Sequence, residues 1–172
     1  MAHWLLKTEP DAFSIDDFER LGTAPWDGVR AYMARNNLQA MKLGERAFFY
    51  HSSCDPPGVV GICEVVREAY PDHTAFDPTS KYYDPRSNPE KPRWFMPDVR
   101  FVTKFPEMVR LEEIRRTPGL ENMTLVQRGM RLSVQPVRDD EWQIICERAG
   151  IEAEPADRTK QPALEDDATS SP

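Results

Sequence analysis

The segment Trp26-Asp27-Gly28-Val29-Arg30-Ala31-Tyr32-Met33-Ala34-Arg35-Asn36-Asn37 crowds two aromatics, two arginines and two amides around one glycine. An aromatic ring offers a π face to a planar partner, arginine offers a charged fork of donors, and an asparagine amide both donates and accepts. Together they suit a planar, polar, partly anionic ligand such as a nucleotide. The apolar residues of the segment repeat at neither two nor 3.6, the periods of a strand or a helix, as befits a binding segment. The same residues also read as a core tryptophan followed by an amphipathic helix with solvated arginines, and the segment alone leaves both readings open.

Other positions complete such a site. A flipped base or a free nucleotide needs a ring to stack on, donors and acceptors for its edge, and cations for its phosphates. Trp26 and Tyr32 can supply the faces, Asn36, Asn37, Ser52 and Ser53 the edge contacts, and Lys7, Arg30 and Arg128 the charge. Trp4, Trp94 and Trp142 read as core or loop anchors. The enzymatic alternative rests on Lys7, Glu9 and His51, each at a predicted strand end, where side chains converge in a barrel and could form an acid–base cluster of hydrolase or deaminase type. The same three groups could instead orient a ligand or bond to loop backbone. The chain has no G-x-x-x-x-G-K-[ST], G-x-G-x-x-G or G-x-S-x-G sequence.

At 172 residues the chain has room for one domain with a sizeable core. Hydrophobic residues make up 40% and charged residues 30%, the balance of a soluble globular protein. No apolar run nears the ~20 residues of a membrane span, and the start lacks a secretory signal, so a cytoplasmic protein is expected, nucleoid-associated or nuclear according to source, and monomeric. Cys54, Cys63 and Cys146 are too few and too scattered for a disulfide framework. With His3, His51 and His73 they show no metal-ligand spacing, so neither metal nor cofactor is expected. The net charge of −7 is unevenly spread: residues 151–172 carry −4 and the rest −3. Within the rest, residues 28–46 and 124–138 are locally basic, enough to focus a positive field over one cleft but not to form a duplex-binding stripe.

The elements that must hold these groups follow from pattern. Residues 3–7 and 46–51 read as strands, Ser14 caps a short helix that Gly22 stops, and residues 31–41 form a helix closed by Gly44. A turn at Asp55-Pro56-Pro57-Gly58 leads into a strand over 59–66, in which Gly61 marks a bulge or a close approach. Residues 71–98, rich in proline and aromatics, read as a long ordered loop walling the site. A strand over 99–105, helical turns at 111–116 and 122–127, a strand over 132–137 and a helix over 139–149, stopped by Gly150, complete the domain. Residues 151–172 read as an acidic disordered tail. The count predicts an α+β fold, a small mixed β-barrel of five or six strands with short flanking helices.

Several motifs occur in a telling order: Trp4-Leu5-Leu6-Lys7-Thr8-Glu9-Pro10, Trp26-Asp27-Gly28-Val29-Arg30-x-Tyr32-x-Ala34-Arg35-Asn36, Phe49-Tyr50-His51-Ser52, Val60-Gly61-Ile62, Tyr70-Pro71-Asp72, Tyr82-Tyr83-Asp84, Pro92-Arg93-Trp94 and Gln127-Arg128-Gly129-x-Arg131-Leu132-Ser133-Val134-x-Pro136-Val137. This series resembles the EVE domain family over residues 2–149. The resemblance implies a PUA-like fold, related to the YTH, ASCH and PUA domains, over residues 1–150. It also implies recognition of a modified base, foremost a modified cytosine in DNA, flipped into an aromatic pocket, with modified RNA or a small molecule as other partners. The family's pocket motifs fall here on Lys7, Thr8, Glu9, Trp26, Tyr32, Asn36, His51, Ser52 and Ser53. Ala31, where the family pattern has Asn in many members, and Asn37, where a larger apolar residue is common, depart from it.

Overall fold

The computed structural model describes residues 1–153; the greater part of the expected acidic tail, residues 154–172, lies outside them. In chain order the elements are β1 (His3–Thr8), α1 (Ile15–Leu21), β2 (Thr23–Pro25), α2 (Tyr32–Ala40), β3 (Arg46–His51), β4 (Gly58–Pro71), a 3-10 turn at His73–Phe76, and β5 (Phe95–Arg110). They continue with α3 (Leu111–Arg116), a second 3-10 turn at Thr124–Val126, β6 (Val134–Val137) and α4 (Asp139–Ala149). The strands form one sheet in the order β2-β5-β4-β3-β1-β6, with β1 parallel to β3 and every other pair antiparallel. The fold is α+β with six strands, as expected. The barrel is not closed, however: β2 and β6 are the two edges of the sheet and pair only inward.

The sheet is buried on both faces, and this explains why β1 and β3 read as solid apolar runs. Successive side chains point to opposite faces, so Trp4, Leu6, Ala47 and Phe49 meet Ile15 and Phe18 of α1 and Ala34 and Leu38 of α2. Leu5, Phe48 and Tyr50 face the other way, onto Ile114 of α3 and Trp142 and Ile145 of α4. Trp142 stacks on Phe48 with centroids 3.9 Å apart. Full burial of an aromatic or branched side chain contributes ~1.5–3 kcal/mol, so these two layers hold the strands whose ends form the site. Trp4 is the core anchor foreseen for it, its indole N–H donating to the buried Glu45 carboxylate at 3.1 Å.

Gly44 does not close α2, which ends at Ala40 with Met41 as its C-cap and leaves the Gly44 N–H to bond the Val65 carbonyl; the other helix signals hold. The Ser14 side chain accepts from the Asp17 N–H, the Gly22 N–H bonds back to the Phe18 carbonyl, and Gly150 ends α4 at φ 72°. Gly61 lies at a close approach and beside a bulge: a Cβ there would fall 2.5 Å from the Thr103 carbonyl oxygen and 2.8 Å from Ile15 Cδ1. Residues 71–98 need a correction. β4 continues to Pro71 and β5 begins at Phe95, so the loop is shorter than expected. Its prolines are compatible with pairing because they occupy places where a ladder bond is missing anyway. Pro71 ends its strand. Pro97 falls between Met96 and Asp98, opposite the register shift between Arg67 and Tyr70.

The N-terminus of α2 is uncapped. Ala31 occupies the N-cap with extended torsions (φ −118°, ψ 134°) and no side-chain bond. Asparagine there would place an acceptor over the open N–H groups, a gain of ~0.5–2 kcal/mol. Ala31→Asn is therefore expected to raise the thermal unfolding midpoint by roughly 1–8 °C in a domain of this size, as measured by calorimetry.

Candidate functional site

At one end of the sheet, Thr8 from β1, Ala12 and Phe13 from the following loop, Ala24 and Pro25 from β2, then Trp26, Asp27 and Tyr82 enclose a cavity of about 260 Å³. That is just below the ~300 Å³ at which sites for drug-sized ligands begin, and leaves room for a single ring system. Trp26 is only 7% exposed. Its backbone N–H donates to the Pro97 carbonyl at 2.9 Å, and its ring meets Phe49 edge-on at 5.6 Å and Phe13 at 6.3 Å. Trp26 thus belongs to the core and also lines the cavity.

The opposite wall is Tyr82, and Gly28 explains how it is seated. Gly28 has φ +79°, and a Cβ on it would stand 2.6 Å from Tyr82 Cζ, so the tyrosine ring lies directly on glycine backbone. The loop carrying Tyr82 is tied down by Asp72 and Arg30. Asp72 accepts from the Gly28 N–H at 2.9 Å and Arg30 Nη1 at 3.0 Å, and from the Thr74 N–H and hydroxyl at 2.9 and 2.6 Å. Arg30 also donates to the Tyr82 and Val29 carbonyls and to the Thr74 hydroxyl. Arg30 was foreseen as a charge for phosphate; here its fork is spent on holding the cavity wall.

Tyr32 does not share the cavity with Trp26. It stacks on Trp94, with centroids 5.1 Å apart. Trp94, foreseen as a loop anchor, is buried and donates its indole N–H to Asp84 at 2.7 Å. Asn36 is exposed on α2 and accepts from Arg35 at 2.9 and 3.2 Å. Asn37 instead ties α2 to β6 by donating to the Val134 carbonyl at 2.7 Å.

The strand-end residues divide between the two faces of the sheet. Thr8 and His51 pair across β1 and β3 on the Trp26 side, whereas Lys7 points to the other face, its ammonium 5.7 Å from the Tyr50 ring centroid. Burial lowers the Lys7 pKa. His51 is buried, with Nδ1 3.3 Å from the Thr8 carbonyl and Nε2 3.3 Å from the Ile15 N–H. That geometry assigns the proton to Nδ1, leaves Nε2 as acceptor, and occupies both nitrogens with backbone. Glu9 is exposed, and its carbonyl closes the turn into Ala12 and Phe13. Lys7, Glu9 and His51 therefore do not converge as an acid–base cluster. The Ser52 N–H bonds to the Thr8 carbonyl at 3.0 Å, Ser53 is exposed with φ 52°, and Arg128 is exposed in the loop before β6. None of these three lines the cavity.

Sequence reasoning missed Ala12, Phe13, Ala24, Pro25, Asp27 and Tyr82. Asp27 stands in the Trp26–Asn37 segment, but the sequence reading assigns it no role. Desolvation at the cavity wall, aided by the neighbouring Asp72 carboxylate, raises its pKa. A carboxyl next to a predicted stacking tryptophan was the available signal. A larger hollow, of about 730 Å³, lies beside α4 among His3, Asp139 and Trp142 and shares no residue with this one. Among the described residues no His, Cys, Asp and Glu cluster could hold a metal, and no helix is long and apolar enough to cross a membrane.

A six-stranded mixed sheet with helices on both faces and a ring-sized aromatic cavity at its strand ends defines a PUA-like α+β domain. The chain belongs to the EVE domain family, whose model matches residues 2–148. It is 44% identical to human thymocyte nuclear protein 1 over 163 residues, covering 84% of this chain and 72% of that protein. Among solved structures it resembles a Pseudomonas syringae protein (49% identity, TM-score 0.84, 86% of this chain and 99% of that one). It also resembles human THYN1 protein solved in complex with DNA containing 5-methylcytosine (42% identity, TM-score 0.82, 88% and 99%).

Two outcomes test this construction. Removing one partner of a buried pair costs ~3–5 kcal/mol, so Arg30→Met should destabilise the domain by about that amount in urea unfolding. Burial lowers the His51 pKa below 6.5, against smaller opposing effects of the Thr8 carbonyl and Asp16. Its contribution to stability is accordingly complete above the unfolded-state pKa near 6.5, and is lost as pH falls through the lowered folded value. Unfolding midpoints measured between pH 7.5 and 5.5 should fall less in His51→Gln than in the parent.

Proposed function

We propose that the domain reads 5-methylcytosine in DNA, without catalysing a reaction, by taking the flipped base into the Trp26 cavity. The observation that carries this reading is the cavity itself: aromatic walls from Phe13, Trp26 and Tyr82, a small apolar lining and the Asp27 carboxyl. The human relative solved with methylated DNA lends it direction. Extruding a base costs a few kcal/mol, which stacking and edge contacts inside the pocket must offset. Trp26 and Tyr82 supply the ring contacts. Asp27 can accept from the cytosine exocyclic N4 amine, the pairing that carboxylates make with that edge. The 5-methyl group would rest against Ala12, Ala24 and Pro25, where burial of one methyl contributes ~0.8 kcal/mol, roughly a fourfold preference.

The groups outside the cavity take the flanking strand. Ser52 and Ser53 stand beside the Thr8 edge of the cavity, the Ser52 N–H bonding to the Thr8 carbonyl, and the exposed Asn36 and Arg128 face solvent, where phosphate contacts are made. Such contacts position the strand and add no methyl preference. The net charge of −7 predicts weak binding to unmodified duplex at physiological salt. The separation of Lys7, Glu9 and His51 speaks for binding over the hydrolase reading.

The test is an affinity ratio. Oligonucleotides differing only in one 5-methyl group are titrated by fluorescence anisotropy, and the methylated strand should bind at least about fourfold more tightly. Ala12→Phe places a ring at an exposed position of the wall, so it should abolish the preference while leaving thermal stability intact. Equal affinity for the two strands, or a preference that survives Ala12→Phe, would overturn the assignment.

A further inference from the structure

Tyr32 opens α2 with 55% of its surface exposed, although one face of its ring is covered by Trp94. The Arg35 guanidinium lies 4.8 Å from the Tyr32 centroid and 5.9 Å from the Trp94 centroid, and the two rings are 5.1 Å apart, 20° from parallel. These distances close a nearly equilateral triangle, so the guanidinium sits at the shared edge of the stacked rings. A cation on the outer face of Tyr32 would be far more distant from Trp94. Among the described residues Tyr32 has no other ring or cation contact, and with 55% of the residue exposed its outer face is open. The platform beneath it is rigid, because Trp94 is anchored to Asp84 and Arg35 donates to the Arg93 carbonyl at 3.0 Å.

A flat ring open on one side, backed by a second ring and edged by a planar cation, offers a base both stacking and cation–π attraction. Its position relates it to the cavity. Arg30 bridges the two, 5.5 Å from the Trp94 centroid and 5.7 Å from that of Tyr82, which is the cavity wall. Links of this size span only a few nucleotides, given ~3.4 Å per nucleotide along one strand.

We propose that the outer face of Tyr32 is a second stacking site, for a base of the same strand near the flipped one, and that it does not read the modification. The proposal rests on the cavity's being a base site, and the two are separable by experiment. Stacking on an aromatic tolerates any base, so Tyr32 governs overall affinity for the strand, while the cavity governs the ratio between methylated and unmethylated strands.

The probes are two fluorescein-labelled single-stranded nonamers, with 5-methylcytosine or cytosine at the centre, titrated against the full chain. Tyr32→Ala should weaken both by the same factor, roughly 5- to 150-fold as for loss of one base–aromatic stack, with the ratio unchanged. Tyr32→Phe keeps the ring and should bind both strands as the parent does, and an unchanged unfolding midpoint in Tyr32→Ala separates the loss of a stack from a folding defect. An abasic site beside the central base, at the position that meets Tyr32, should weaken the parent protein and leave Tyr32→Ala unaffected. A ratio that collapses in Tyr32→Ala would put Tyr32 in the cavity and overturn the proposal, as would unchanged affinity for both strands. If the parent shows no methyl preference, the cavity reading fails, and the Tyr32→Ala affinities still decide the platform.

Discussion

The site depends on one buried carboxylate. The Asp72 side chain has no solvent exposure, and taking such a charge out of water without partners would cost several kcal/mol. Burial pushes its pKa up, but the Thr74 hydroxyl, the Gly28 N–H, the Arg30 guanidinium and the Thr74 N–H outweigh that and hold it below the usual value. The partners come from two stretches more than forty residues apart in the chain, joined here by hydrogen bonds of 3.0 Å or less. The turn that presents Trp26 and the loop that presents Tyr82 are thereby fixed to each other. As the folded-state pKa is depressed, this stabilisation is complete above the unfolded-state pKa near 4 and lost in more acidic solution.

The fold was legible wherever one local signal coincided with one local cause. The caps at Ser14 and Gly22, the close approach at Gly61 and the solid apolar runs of β1 and β3 each follow from a few adjacent residues. The extensions of β4 and β5 were not legible, because proline composition argues against a strand, whereas bulges and strand ends spare the missing donors. In the site, Trp26 was legible as an aromatic next to polar groups. Tyr82 was hidden in a proline-rich loop, and its place opposite Trp26 depends on the contact between Arg30 and Asp72, which no spacing in the sequence reveals. Asp27 was visible and passed over.

Strand geometry also separates the residues of the N-terminal motif. Lys7 and Thr8 are neighbours in sequence and therefore point to opposite faces of the sheet. Thr8 reaches the cavity, while the Lys7 ammonium lies over Tyr50. His51 reaches the correct face but is committed at both nitrogens to Thr8 and Ile15. A histidine held this way ties the ends of β1 and β3 to the start of α1, with both ring nitrogens engaged by backbone.

The dual position of Trp26 divides the pocket into parts with different freedom to change. Trp26 and Ala24 belong to the core around Phe49, so replacing either disturbs the packing of β3 before it alters selectivity. Ala12, Pro25 and Asp27 line the same cavity yet are exposed, so they can vary at little cost to folding. On the proposed reading, a shift from one base modification to another would be written in the exposed half of the wall, with the tryptophan as its fixed reference.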